Sequence, residues 1–248
     1  MQKAVLVIPA RFGSTRLPGK PLRLIAGKPM IQHVYERAIS ANFDTIIIAT
    51  DNEKIENCCL DFGASVCMTS INHETGSDRL AEVVKIYNWP DNTIVVNLQG
   101  DEPLTPVENL YQVANNLAKH PKASIATLAT PILNPQAINN PNVVKVVMDK
   151  NGMALYFSRA PIPFQRDNDK TITHQALRHI GIYAYRASYL KTFSNMESCS
   201  LEVLEKLEQL RALWHGARIH VDIATKIPAH GVDTEEDLKA VEKIILAH

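Results

Sequence analysis

Short apolar runs rich in β-branched residues recur along the first half of this chain, and each is followed by a segment with helical spacing. Residues 4–8, 44–50, 65–68, 93–98 and 124–130 read as strands, several of them apolar enough to be buried on both faces. Between them, Pro29 suits the first turn of a helix running to about residue 41, with Ile31, Val34, Tyr35, Ala38 and Ile39 on its apolar side. Further helices are expected at 53–62, stopping at Gly63, at a segment through 84–87 capped by Ser77 or Asp78, and near 106–119. Strands alternating with helices imply right-handed βαβ crossovers and an α/β fold with a mainly parallel sheet flanked by helices. Ligands bind beyond the carboxyl ends of such strands. Residues 9–20, Asp51 and residues 99–103 all follow strands directly, so the pattern places them on one rim.

The second half changes character. Residues 143–148 and 153–158 flank an Asn151-Gly152 pair and read as a hairpin, a smaller lobe completed by Pro161, Pro163 and a polar, mobile loop at 165–173. Strand spacing returns at 179–185 and 218–223. A helix is expected over 200–214, with Leu201, Leu204, Leu207 and Leu210 along one side, and Thr234 caps a final helix with Asp237 three residues on. No repeat or linker divides the 248 residues, so they read as one domain, with the rim of loops in the half to about 130 and the smaller lobe, a candidate surface for pairing subunits, in the half from about 131.

Lys and Arg total 26 against 26 Asp and Glu, which excludes a broad nucleic-acid or membrane footprint; any anion site must be a local concentration of charge. No apolar run approaches the ~20 residues of a membrane span, and no basic-then-apolar leader follows Met1. The four cysteines form no Cys-x-x-Cys pair and read as reduced, mostly buried thiols of a cytoplasmic protein.

Charge is concentrated in the first loop. Between Pro9 and Pro21 lie Arg11, Gly13, Ser14, Thr15, Arg16, Gly19 and Lys20: glycines that let backbone approach a ligand, short donors, and three cations suited to a polyphosphate. It is not a P-loop, because five residues separate the glycines and Pro21 stands where a metal-binding hydroxyl would be. The chain also lacks a Gly-x-Gly-x-x-Gly fingerprint of dinucleotide oxidoreductases. A solvated surface loop would share this composition. The run Pro-Ala-Arg-Phe-Gly-Ser-Thr-Arg-Leu-Pro-Gly-Lys-Pro-Leu at 9–22, however, resembles the opening motif of the 3-deoxy-manno-octulosonate (Kdo) cytidylyltransferases.

Four later segments, in order, carry the same resemblance. Thr75-Gly76-Ser77-Asp78-Arg79 would by itself be a helix cap with an exposed Arg, but is similar to the family's nucleotide segment. Gln99-Gly100-Asp101-Glu102-Pro103 places an acid straight after a buried strand, where a hard divalent cation can be held. Adjacent side chains leave extended backbone in opposite directions, so Asp101 and Glu102 are not expected to share a task. Leu207-Glu208-Gln209-Leu210-Arg211 resembles the family's sugar-binding helix motif; without the family, Glu202, Glu205 and Glu208 are the wet side of an amphipathic helix. Gly231 to Leu238 resembles the family's final acidic motif, although Asp233 or Thr234 also reads as an ordinary cap.

The resemblance spans nearly the whole chain and implies a Rossmann-like nucleotide-diphospho-sugar transferase fold. It implies a magnesium-dependent homodimeric nucleotidyltransferase that joins CTP and Kdo into CMP-Kdo and pyrophosphate for lipopolysaccharide biosynthesis. It assigns Ala10, Arg11, Phe12, Gly13, Ser14, Thr15, Arg16, Lys20, Ser77 and Arg79 to the nucleotide, with Arg11, Lys20 and Asp101 catalytic. Gln99, Arg159, His179, Tyr183, Glu208 and Gln209 go to the sugar, and Asp101 and Asp233 to magnesium. A glycosyltransferase using a finished nucleotide-sugar is the alternative of another class; the first-loop cations, placed for a leaving pyrophosphate, count against it.

Overall fold

A computed structural model of the chain describes residues 4–13, 17–73, 75–166, 176–229 and 231–247. In chain order the elements are β1 (Ala4–Ala10), a 3-10 turn (Lys20–Leu22), β2 (Leu24–Ile25), β3 (Lys28–Pro29), α1 (Met30–Ser40), β4 (Ile46–Thr50), α2 (Glu53–Asp61), β5 (Val66–Met68), α3 (Gly76–Ile86), β6 (Ile94–Asn97) and α4 (Val107–Lys119). Then come β7 (Ile125–Pro131), a second 3-10 turn (Pro135–Asn139), β8 (Lys145–Met148), β9 (Ala154–Ser158), β10 (Leu177–Arg186), α5 (Ala187–Phe193), α6 (Ser200–Glu205), α7 (Gln209–Trp214), β11 (Ile219–Ile223) and α8 (Glu235–Leu246).

The main sheet runs β11-β7-β10-β6-β1-β4-β5, with β8 and β9 attached beside β10. Strands β5, β4, β1 and β6 are parallel; β10 is antiparallel to both its neighbours, while β11 is parallel to β7. Each strand alternates its side chains between two cores. Val5, Val7, Ile47 and Val95 enter one with Leu80 and Val84 of α3 and Leu210 of α7. Leu6, Ile8, Ile48 and Val96 enter the other with Val34 of α1, Ile55 of α2 and Val113 of α4. Both faces are therefore dry, which is why these strands read as continuous apolar runs.

Chain order puts β4 and β5 on one side of β1 and β6 on the other, so the crevice beside β1 is a topological switch point. Leu98 N–H donates to Val7 O at 3.1 Å, carrying the pairing onward to where Gly100 lies against Pro9. A third, smaller apolar cluster joins Leu17, Ile25 and Met30 to Val232, Leu238 and Val241, fastening the last helix onto the first loop. Each such buried side chain contributes about 1.5–3 kcal/mol, enough together to hold the chain's two ends against one another. Arg23 reinforces the junction with two 2.8 Å hydrogen bonds to Glu235.

Two local expectations are corrected. The cap of α3 is neither Ser77 nor Asp78 but Thr75, whose hydroxyl accepts from Asp78 N–H at 3.2 Å. The helix expected over 200–214 is broken: Lys206 adopts a left-handed conformation (φ 52°) between α6 and α7, and Leu204 is 79% exposed while Leu207 and Leu210 are buried. Tertiary partners cause the break, since none of the three glutamates is left on a wet face. Glu202 is buried on Arg211 at 2.8 and 2.6 Å, Glu205 accepts from Ser158 Oγ and Arg159 N–H, and Glu208 accepts from Ser77 Oγ. The hairpin has Gly152 at φ 74° in its turn, where a Cβ would meet Val221 O at 3.0 Å.

Candidate active site

One cavity opens at the switch point. Its walls come from the end of β1 and the loop after it (Pro9, Ala10, Arg11, Gly13), from Lys20 and Pro21, and from Met30 at the start of α1. Opposite are Gln99, Gly100 and Asp101 after β6, with His73, Thr75, Gly76 and Arg79 on the α3 side and Asp233 from the chain's last loop. The first residues of α3 thus border the cavity, where unpaired helix N–H groups and the dipole favour an anion.

Packing explains why residues so far apart in sequence meet. Val232 N–H donates to Asp101 O at 2.8 Å, and a Cβ on Gly231 would lie 3.2 Å from that same oxygen. This close seam between the two loops brings Asp233 beside Asp101. Lys20 completes it: the ammonium reaches Asp101 Oδ2 at 2.7 Å, Asp233 Oδ1 at 3.0 Å and Val232 O at 2.7 Å. The two carboxylate oxygens can be no farther apart than the sum of their distances to that nitrogen. Glu102 points the other way, towards a neighbouring depression that also contains Arg178, His179 and Gly231. Burial of its carboxyl, then the negative charge of Asp101, pushes Glu102 up to about 7.

Arg79 is almost wholly buried. It donates to Asp51 at 2.6 Å and to Thr69 Oγ1, so its charge is compensated inside the protein and its planar group is held at the cavity wall. His73 also reaches the wall, held by Glu82 at 2.5 Å. Sequence reasoning missed His73 and Met30 as lining residues and did not foresee Asp51 as the partner that fixes Arg79. A polar loop feeding a helix start was the only signal for His73.

A second depression shares Arg11 and Thr75 with the first cavity and is otherwise lined by residues between 198 and 209, Glu208 and Gln209 among them. Glu208 therefore faces the same region as the first loop. Its carboxyl is withdrawn from solvent although the residue is partly exposed, and burial raises its pKa against the lowering effect of the Ser77 hydroxyl. Ser77 itself is buried, bonded to Tyr185 at 3.0 Å and to Glu208, and supports the wall from behind.

The structure brings Ala10, Arg11, Gly13, Lys20, Arg79, Gln99, Asp101 and Asp233 together, and Glu208 and Gln209 beside them. Ser14, Thr15 and Arg16 lie outside the described residues, as does the loop from 167 to 175. Three expectations are placed differently. Phe12 packs against the α1-side core, with Lys54 Nζ 5.8 Å from its ring centroid, and does not line the cavity. Arg159, expected to face a sugar carboxylate, gives its guanidinium to the carbonyls of Glu205 at 2.6 Å and Pro141 at 2.9 Å. Lys20 spends its three protons on protein acceptors, two of them the carboxylates expected to hold magnesium.

His179 and Tyr183 stand ring to ring at 5.3 Å, across an irregularity in the pairing of β10 with β7. The His179 ring shares a 3.0 Å hydrogen bond with Thr127 Oγ1, and burial lowers its pKa to about 3. Tyr183 is 6% exposed, while His179 is half-buried and borders the depression that Glu102 faces. Oxygen donors at Asp101 and Asp233 suit a hard cation such as magnesium, which takes one or two protein carboxylates and completes its shell from water and phosphate. Among the described residues no group of three or more His, Cys, Asp or Glu could hold a metal ion. All four cysteines are free thiols, and among the described residues no helix is long and apolar enough to cross a membrane.

Residues 5–220 match the family model described as cytidylyltransferase. The 3-deoxy-manno-octulosonate cytidylyltransferase of Vibrio cholerae serotype O1 is 56% identical over 244 residues, covering 97% of this chain and 96% of that protein. The protein of that name from Thioalkalivibrio sulfidiphilus is 53% identical, covering 98% of each. A solved CMP-2-keto-3-deoxy-manno-octonic acid synthetase, described as complexed with CTP, superposes with a TM-score of 0.91 at 41% identity over 99% of each chain. A cytidylyltransferase from Leptospira borgpetersenii, 18% identical with a TM-score of 0.65 over 100% of this chain and 88% of that one, shares the fold. With more than half of its residues identical to such relatives over nearly its full length, the chain belongs to the 3-deoxy-manno-octulosonate cytidylyltransferase family.

Proposed function

We propose that this protein transfers CMP from CTP to Kdo, releasing pyrophosphate, by direct attack of the sugar's anomeric hydroxyl on the α-phosphate with magnesium present. The observation that carries the reading is the meeting, in one cavity, of the first-loop cations, the Gly100–Asp101 turn and Asp233. No protein nucleophile is invoked. Arg11 and Lys20, with Arg16, hold the triphosphate and neutralise charge that grows as pyrophosphate leaves; a preorganised donor of this kind is worth about 3 kcal/mol. Asp101 and Asp233 would hold magnesium, which when bound would supply Lewis-acid stabilisation of charge on the α-phosphate. Ala10, the glycine backbone and Arg79 read the pyrimidine edge, and Gln99, Glu208 and Gln209 hold sugar hydroxyls. His179 and Tyr183 back the sugar site from the sheet, while Arg159 serves the sugar carboxylate after releasing a backbone carbonyl.

The chain works, on this reading, as a cytoplasmic homodimer paired through its second half, where Leu155 and Phe164 are exposed on the smaller lobe. Its product is an activated sugar for lipopolysaccharide assembly. The test is incubation of the purified protein with CTP, Kdo and magnesium, following pyrophosphate and identifying CMP-Kdo by mass. CTP should greatly outpace ATP and GTP, because a site built to hydrogen-bond one base leaves buried groups unpaired with another. No pyrophosphate release, or equal turnover with ATP, defeats the assignment; transfer of Kdo from preformed CMP-Kdo onto an acceptor, with CMP as the leaving group, favours a glycosyltransferase.

A further inference from the structure

The position of the Lys20 ammonium is not that of a side chain waiting for phosphate. It lies between Asp101 and Asp233, with its side chain only 13% exposed although the carboxylates are 34% and 47% exposed. All three N–H groups are used, the third on Val232 O. The arrangement is built in from both ends. Gly19 takes φ +64° to turn the chain into the 3-10 turn that begins at Lys20, and Pro21 is buried behind it. Val232, which supplies the carbonyl, is buried in the third apolar cluster with Leu17 and Met30.

Two carboxylates held this near one another repel, and the ammonium offsets one of their two charges. A divalent cation satisfies the same oxygens with more charge, but it cannot share them at hydrogen-bonding distance with a second cation without strong repulsion. Lys20 and the metal therefore compete for one place. The same lysine lines the cavity that the triphosphate enters, so phosphate oxygens offer its three protons an alternative set of acceptors.

We propose that Lys20 is a built-in counter-cation for the Asp101–Asp233 pair, which suppresses divalent-metal binding until a polyphosphate draws the ammonium away. The inference rests on the magnesium reading above. Metal and nucleotide affinities are then coupled through one side chain, each raising the other, because both favour the position in which Lys20 has left the carboxylates. A lysine that only tied the first loop to the last would give the opposite metal behaviour, since removing it would loosen the carboxylate pair.

The experiment measures manganese(II) binding to the full chain without nucleotide, by electron paramagnetic resonance of the free ion, for wild type, Lys20→Met, Asp101→Asn and the double variant Lys20→Met/Asp101→Asn. Removing a unit positive charge from beside the two carboxylates should tighten manganese binding about tenfold or more, and Asp101→Asn should abolish that gain. Should Lys20→Met fail to fold, wild-type protein decides: acetic anhydride labelling of Lys20, read by peptide mass, should rise severalfold along a magnesium titration carried to concentrations that outcompete the ammonium for the two carboxylates. Unchanged or weaker manganese binding in folded Lys20→Met, or unchanged Lys20 labelling, overturns the counter-cation while leaving the magnesium site standing. Manganese binding indifferent to Asp101→Asn overturns the magnesium site itself, and the inference with it.

Discussion

Gly100→Ala is the substitution from which the switch-point geometry is most directly read. A Cβ at residue 100 would lie 2.7 Å from Pro9 O, and the atom it meets is backbone. Pro9 lies within the sheet, in register with Ala49 of β4 on its other side. The ends of β1 and β6 would have to part by several tenths of an ångström, with further contacts at Ala10 and Ile31. Overpacking of this kind costs about 1–3 kcal/mol. In a chain of this size a central value of ~2 kcal/mol lowers Tm by about 4–8 °C. Because Pro9–Arg11 and Gln99–Asp101 line opposite walls of one cavity, the same shift misplaces the phosphate cations against the metal carboxylates; kcat should fall by about tenfold to a hundredfold. Gly13→Ala is the control for stability, since no described residue lies within 4 Å of its Cβ position. Calorimetry of both variants and pyrophosphate release from Gly100→Ala make the test. A Gly100→Ala protein with the Tm of Gly13→Ala and wild-type turnover would refute the argument.

Asp101→Asn and Asp233→Asn should each abolish most magnesium-dependent turnover, and the double variant should be little worse than either, because both serve one ion; steady-state pyrophosphate assays decide, and additive losses would place them on separate tasks. Arg211→Met leaves Glu202 buried without its bidentate partner and should cost about 3–5 kcal/mol in urea denaturation, whereas Glu202→Leu/Arg211→Met should recover most of that loss. His179 contributes to pH dependence with a definite sign. Folding lowers its pKa from 6.5 to about 3, so the unfolded chain binds the extra proton; its contribution is complete above pH 6.5 and is lost as pH falls, on the order of 1–2 kcal/mol at pH 5. His179→Gln should flatten the stability profile between pH 7 and 4.5, and an unchanged profile would mean the imidazole titrates in the open.

The sequence by itself determined the βα alternation, the rim of loops and most helix ends, because these follow from local spacing: two-residue alternation, helical periodicity, caps such as Thr234 with Asp237, and turn residues such as Gly63 and Gly152. The motifs at 9–22 and 99–103 were also legible, since each lies within one loop after one strand. Tertiary structure alone decided the rest. Periodicity over 200–214 predicts one helix, but Ser158, Arg159, Ser77 and Arg211 supply partners that three glutamates could reach only if the helix broke at Lys206. The fate of Lys20 depends on a seam between Asp101 and Val232, 131 residues apart. Strand order sets which loops become neighbours, and a charged side chain takes the partner that burial leaves nearest, so neither is written in the spacing around it.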